Sequence, residues 1–179
     1  MHDAMSPQPT TCDVSPALAD LVGYLSGLRD RADLGVLERM LKDLHITRED
    51  IAPACVFGAR GYRRNTIAQG EWFELLALCW RSGDCTPIHD HEGSSCAFKV
   101  IEGQGTEIRY ERTASGLVCP TGRVMLDEGT VCAAADGDIH QVANMQAKDV
   151  DLITLHIYSP ASRQMGTYDF ASGEPAESP

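Results

Sequence analysis

The stretch "CTPIHDHEGSSCAFKVIEG", Cys85 to Gly103, decides how the rest of the chain is read. Two histidines stand one residue apart, and Cys96 follows at the fifth position after the second. Side chains alternate between the faces of a strand, so His89 and His91 share one face and Asp90 takes the other. Two imidazoles held that close can offer ring nitrogens to a single metal ion. The competing reading is a pair of surface or hydrogen-bonded core histidines, and this spacing alone does not separate the two. Glu92, immediately beside His91, would face away from such a metal.

Outward from this stretch the texture of the chain is that of short strands. After Gly58, "GYRRNTIA", "EWFELLALCW", "SCAFKVIEG", "GTEIRYERT", "GRVMLDEG", "TVCAAADG", "DIHQVANM" and "VDLITLHIYSP" are bounded by Gly, Asp, Asn or Pro. Strands at such regular intervals, rich in β-branched and aromatic residues, predict a sandwich or barrel. Upstream the period changes. Ser15 is placed as an N-cap with Pro16 at the first helical position, and Leu18, Leu21, Val22, Leu25 and Leu28 form one apolar stripe. Leu37, Met40, Leu41 and Leu44 repeat the pattern in a second helix, and Thr47 with Asp50 predicts the start of a short third one. The expected organisation is a flexible arm over 1–14, a helical segment over 15–55 packed on the barrel, a β-barrel over 56–170 and a flexible tail over 171–179. The fold class is mainly β with a short helical N-terminal segment.

Bulk composition narrows the function classes. The chain has 179 residues, 43% hydrophobic and 23% charged, enough for one domain with a substantial core. Fifteen basic and 26 acidic residues give a formal net charge of -11, so no basic stripe is available for nucleic acid or an anionic membrane. No apolar run approaches the ~20 residues of a membrane helix, and the first residues carry neither the basic nor the apolar region of a secretory signal. The seven cysteines include no C-x-x-C pair, which weakens a zinc ribbon or a thioredoxin-type motif and favours reduced, buried thiols. The expectation is a cytoplasmic monomer that acts on a small molecule.

Gly83, His89, His91 and Gly103 fit the spacing of the cupin signature, and His140 in "DGDIHQVAN" stands where the second cupin motif has its histidine. This resemblance implies a small β-barrel with a metal inside its mouth, held by His89, His91 and His140. The usual cupin motif adds a glutamate beyond the second histidine; here the corresponding position is Cys96. A set of three neutral imidazoles would leave a divalent ion its full charge and open positions, favouring an anionic ligand such as a thiolate. Zinc in a three-histidine lyase or hydrolase site looks similar at this level.

A second group of residues lies in "LITLHIYSP". Thr154, His156 and Tyr158 alternate, so hydroxyl, imidazole and phenol share one strand face and can form a hydrogen-bond chain. The competing reading is the wet face of an amphipathic strand. In "GYRRNTI", Tyr62 and Arg64 likewise share a face and Arg63 takes the other. A guanidinium inside a barrel is costly when unpaired, and a ligand carboxylate is a natural bidentate partner for it.

Together, "YRRN", "LCW", "IHDH" with Cys96, and "LHIYSP" resemble the cysteine dioxygenases, thiol dioxygenases of the cupin superfamily, over about residues 15 to 170. The resemblance implies His89, His91 and His140 as ligands of a non-haem Fe(II). It implies Arg64 as the binder of the substrate carboxylate with Tyr62 beside it, Tyr158 against substrate and oxygen, His156 steadying Tyr158, and Trp80 near the site. The implied reaction is oxidation of L-cysteine by O2 to cysteine sulfinic acid. In animal members the cysteine at this place forms a thioether with the active-site tyrosine, whereas many bacterial relatives have glycine there. The present chain keeps both Cys96 and Tyr158, so the resemblance implies a pair able to form the crosslink. Thr154 stands where the family often has serine. Alternatives are dioxygenation of 3-mercaptopropionate or cysteamine, a metal-binding sensor cupin without turnover, and a zinc lyase. Relatives acting on mercaptopropionate carry glutamine at the arginine position, and cysteamine has no carboxylate for Arg64 to hold.

Overall fold

A computed structural model of the chain describes residues 14–91, 93–134, 137–161 and 166–170. The arm and tail expected to be flexible lie outside the described residues, apart from Val14. So does Glu92.

Three helical segments precede the strands. A 3-10 turn, Pro16–Leu18, runs into α1, Ala19–Ser26, and the Ser15 hydroxyl accepts the Ala17 amide at its start. α2, Leu34–Asp43, is capped by Asp33, whose carboxylate accepts from the Val36 amide at 2.9 Å. The third helix is a 3-10 segment, Glu49–Ala54, whose Asp50 carboxylate reaches back to the Thr47 amide and hydroxyl.

Ten strands follow among the described residues: β1 Arg63–Gly70, β2 Phe73–Trp80, β3 Ile88–His89, β4 Ser95–Glu102, β5 Gly105–Arg112, β6 Val118–Leu126, β7 Val131–Ala134, β8 Ile139–Ala143, β9 Leu152–Ser159 and β10 Thr167–Tyr168. They form two five-stranded sheets, β1-β2-β9-β4-β7 and β10-β3-β8-β5-β6. The turn between β4 and β5 holds Gly103 at φ +82°, where a Cβ would lie 2.4 Å from the Asp151 carbonyl oxygen, so only glycine fits. Two departures from the sequence reading have local causes. β3 and β10 are two residues long, too short to show an alternating pattern. β6 begins at Val118 rather than near Gly122, because its Pro120 sits on an outermost strand beside a bulge and needs no inner hydrogen bond.

β9 explains the layering. All eight of its residues are buried. Ile153, Leu155 and Ile157 point outward and pack with Leu75, Ala77 and the helical residues Leu21, Leu25, Leu37 and Leu41. Leu152 and Tyr158 point inward, with Leu76, Leu78, Trp80 and Phe98, against Val142 of the second sheet. The helices therefore cover one face of the first sheet, and the space between the sheets is left for the polar groups.

Lys99 ties the helical layer down. It lies on the outward side of β4, is 8% exposed, and donates from Nζ to the carbonyls of Leu41 (2.9 Å) and Leu44 (2.5 Å) at the end of α2. Desolvation lowers its pKa, while two helix-end carbonyls hold the ammonium in place. Replacing Lys99 with methionine keeps the apolar stem but strips both carbonyls of their donor. The expected result is a loss of about 2 kcal/mol in urea unfolding. An unchanged midpoint would show that the clamp contributes nothing.

Candidate metal centre and its surroundings

His89 and His140 face each other directly across β3 and β8, and His91 follows two residues after His89. The three ring centroids lie 4.9, 4.8 and 5.0 Å apart, and one nitrogen from each ring falls within 4.8 Å of the others. All three are buried. Their anchoring decides which nitrogen faces the centre. His89 Nδ1 lies 3.0 Å from the Pro87 carbonyl, an acceptor only, so Nδ1 carries the proton and Nε2 is bare. His140 Nδ1 lies 3.5 Å from a carboxylate oxygen of Glu107, with the same consequence. His91 Nε2 sits 3.2 Å from His140 Nε2, while its buried Nδ1 has no hydrogen-bond partner among the described residues.

This donor set fits a divalent metal. His91 Nε2 and His140 Nε2 face each other across 3.2 Å, where a single proton or, in its place, a metal ion can join the two rings. Burial, and then repulsion from His140, lowers His91 to about 3 and His89 to about 4. Burial also lowers His140 to about 4. The rings are thus neutral at pH 7, the state in which they can ligate. Among the described residues no carboxylate joins the cluster.

Around the histidines the first sheet contributes a hydrogen-bond chain. Trp80 Nε1 donates to Thr154 Oγ1 at 3.0 Å, Thr154 Oγ1 lies 2.9 Å from His156 Nε2, and His156 Nδ1 lies 3.4 Å from the Tyr158 hydroxyl. The wet-face alternative for this strand is excluded, since Thr154, His156 and Tyr158 are all less than 5% exposed. Phe98 stacks on His156 at 4.6 Å, and Tyr62 stacks on Trp80 at 4.4 Å. Burial drives His156 well below its ordinary pKa and Tyr158 well above its own. Tyr158 is therefore a neutral phenol.

Cys96 and Tyr158 are direct cross-strand partners on β4 and β9. Burial pushes the Cys96 thiol up to about 12. Arg64 holds its guanidinium 5.0 Å above the Tyr158 ring and donates to Glu74 at 3.2 Å. It is half-buried at the cavity with Tyr62, while Arg63 is exposed, as the alternation of β1 requires. The residues singled out in the sequence, Tyr62, Arg64, His89, His91, Cys96, His140, His156 and Tyr158, thus line one cavity, and Trp80 and Thr154 stand behind it.

Three supporting residues were not legible in advance. Glu107 is buried and bound on its far side by Arg109 Nε at 2.9 Å, so His140, Glu107 and Arg109 form a line. Glu74 stands opposite Tyr158 across β2 and β9. Asp90, the residue between the two histidines, accepts from the Gly166 amide and the Tyr168 hydroxyl and so pins β10 against β3. The one advance signal was the charged pair Glu107 and Arg109, which alternate onto one face of a strand.

A double-sheet barrel with three converging imidazoles in its mouth defines a metal-binding cupin-type protein. Two solved structures share the fold. The protein TT1209 from Thermus thermophilus aligns with a TM-score of 0.52 and 20% identity, over 63% of this chain and 95% of its own. A Klebsiella pneumoniae protein with a double-stranded β-helix domain also gives 0.52, at 15% identity, over 66% of this chain and 88% of its own. The sequence model of the family described as cysteine dioxygenase type I matches residues 5–171. The chain belongs to that family, a family of non-haem iron dioxygenases. Cysteine dioxygenase type 1 of Danio rerio is 27% identical over 164 residues, covering 87% of this chain and 81% of the relative. The Homo sapiens protein of the same name is 26% identical over 162 residues, covering 87% and 80%. Among the described residues no helix is long and apolar enough to cross a membrane.

Proposed function

We propose that this protein is an Fe(II)-dependent dioxygenase that oxidises L-cysteine with O2 to cysteine sulfinic acid. The observation that carries this reading is the meeting of a carboxylate-free three-histidine cluster with Arg64 and Tyr158 in one cavity. His89, His91 and His140 would hold the metal. Bound there, iron(II) supplies the positive charge that favours the thiolate and the redox chemistry that engages dioxygen. Both atoms of O2 end on the sulfur, and the thiol itself supplies the electrons.

The chain's own groups position the substrate. Arg64 takes the carboxylate, with Glu74 holding the guanidinium from one side and the Tyr158 ring lying beneath it. Fixing the carboxylate end brings sulfur to a constant distance from the histidines, so that approach no longer costs orientation entropy in the reactive step. Tyr158, a phenol at neutral pH, offers a hydrogen bond at the reacting end of the cavity. The buried walls from Trp80, Phe98 and Val142 exclude water.

Replacing Arg64 with alanine removes a charge-assisted contact, and the KM for cysteine should rise by about 10–100-fold while cysteamine, which has no carboxylate, changes little. An unaltered KM for cysteine would remove Arg64 from substrate recognition. Oxygen uptake by the iron-loaded protein over a panel of cysteine, 3-mercaptopropionate and cysteamine, with mass analysis of the products, tests the whole reading. Binding of cysteine without oxygen consumption would instead identify a sensor.

The Cys96–Tyr158 pairing supports a thioether between sulfur and the phenol ring. Its formation removes one hydrogen from the thiol and one from the ring, with O2 as the oxidant. After turnover, a fraction of the protein should therefore be lighter by two hydrogens, and Cys96→Ser should abolish that species while retaining iron. A linked species that persists in Cys96→Ser would rule out this pair.

A further inference from the structure

His91 differs from the other two histidines in how it is held. His89 is oriented through the Pro87 carbonyl and His140 through Glu107, whereas the buried Nδ1 of His91 has no hydrogen-bond partner among the described residues. β3 ends at His89, so its ladder stops short of His91. Metal-bound imidazoles are ordinarily fixed by a partner on the second ring nitrogen. Without one, the aim of this ring has to come from the backbone. The Ser94 amide donates to the His91 carbonyl at 2.8 Å on one side, and Asp90 stands on the other.

Asp90 points away from the two rings, as alternation requires, and both of its carboxylate oxygens are engaged. Oδ1 accepts from the Gly166 amide at 3.1 Å and Oδ2 from the Tyr168 hydroxyl, while the Asp90 amide donates to the Gly166 carbonyl at 3.1 Å. The fit is close: a Cβ on Gly166 would lie 2.8 and 2.9 Å from the two Asp90 oxygens. The Tyr168 hydroxyl in turn accepts from Arg112 Nη2 at 2.6 Å, and the guanidinium carbon lies 4.7 Å from the ring centroid. Cation, phenol and carboxylate form one line, with a charge-assisted bond at each end. The line is moored on the second sheet. Val118 bridges to Phe170, the Tyr110 and Phe170 rings meet at 5.6 Å, and Tyr168 packs against Ile88 and Ile139. β5, which carries Arg112, also pairs with β8, which carries His140. The place of His91 is thus referred to the same sheet that sets His140.

We infer that Tyr168, braced by Arg112, is a positioning residue of the metal centre, which through Asp90 fixes where His91 stands. This rests on the reading of His89, His91 and His140 as metal ligands, and not on which thiol is oxidised. A carboxylate between two ligands is a lever with short arms, and the residue beside it turns when it moves. Loosening it acts first on His91, because His89 keeps its pairing with Thr167 and His140 and its contact with Pro87. The chain then keeps its fold and its cavity while the metal leaves faster.

Cobalt(II) is the probe, loaded into the full-length metal-free protein, and its release to excess EDTA is followed by the loss of its d–d absorption. Tyr168→Phe keeps the ring and its packing but removes the hydroxyl. Release should become about tenfold faster, the lower end of what the loss of an outer partner costs, and the d–d bands should shift. Gly166→Ala pushes the Asp90 carboxylate aside without removing a hydrogen-bonding group, and should act in the same direction. In an Asp90→Ala background Tyr168→Phe should add nothing, because its route to the metal is gone. Lys99→Met, which weakens the fold at the first sheet, should leave release unchanged, so that general loosening is told apart from repositioning. Unchanged release in Tyr168→Phe, or an equal acceleration in Lys99→Met, overturns the inference. Should Asp90→Ala fail to fold, Gly166→Ala set against Lys99→Met decides it by the same measurement. Wild-type protein that takes up no cobalt would overturn it together with the metal reading. A protein that binds cobalt and shows these release rates, yet oxidises no thiol, would lose only the proposed reaction.

Discussion

Replacing His91 with alanine is expected to remove the metal and the oxygen uptake together while leaving the fold intact. His91 is the informative choice among the three because its Nδ1 has no hydrogen-bond partner among the described residues. Alanine there deletes a ligand without stranding an acceptor. At His140 the same change would strip one oxygen of the buried Glu107 carboxylate of its partner, leaving only Arg109 on the other, and at His89 it would remove the Pro87 carbonyl's contact. Loss of one of three neutral ligands should weaken metal binding by on the order of a hundredfold or more, since even disturbing an outer partner costs 10–100-fold. Metal analysis after gel filtration, together with an oxygen electrode, gives the answer. Stoichiometric iron and undiminished thiol oxidation in the variant would mean that the metal lies elsewhere.

Acid should unfold the metal-free protein at a pH where most proteins are unaffected. His89, His91 and His140 sit near 4, 3 and 4, against about 6.5 in an unfolded chain. Because the folded values are depressed, the unfolded chain takes up protons first. Stability is therefore full above pH 6.5 and falls as the pH drops towards the folded values. By pH 5 each histidine removes about 2 kcal/mol, and the three together reach the scale of an ordinary domain's entire stability. The window between pH 6.5 and 5 lies above the usual range of Asp and Glu, so a fall there reports imidazoles. Denaturant unfolding at pH 7.5, 6 and 5 measures it. Iron(II) added beforehand should move the loss to lower pH, because proton and metal compete for Nε2. A flat profile from pH 7.5 to 5 would contradict the burial of these rings.

The parts of the site that were legible in the sequence are those set by alternation within one strand. Thr154, His156 and Tyr158 follow from a period of two within β9, and the same period carried one or two residues past a strand end brings Tyr62 beside Arg64 and His91 beside His89. Cys96 joined them because motif spacing put it there. What stayed hidden depends on register between strands. Glu107 reaches His140 because β5 and β8 pair with Arg109 opposite His140, and no local pattern encodes that offset. Glu74 meets Arg64 only through the β1–β2 hairpin, whose register shifts at a bulge between Thr66 and Ala68. The two helical stripes were readable as stripes, but no local pattern marks Lys99, whose partners are carbonyls at the end of α2.

β9 has eight consecutive buried residues, and its two sides answer to different demands. Outward, Leu155 and Ile157 are the floor on which the helices rest; inward, His156 and Tyr158 face the histidines. A ribbon of this kind is an axle rather than a wall. Any methyl group gained or lost beneath the helices must be absorbed by the backbone that aims the phenol, so adaptation of the exterior is harnessed to the chemistry within, and neither can drift alone.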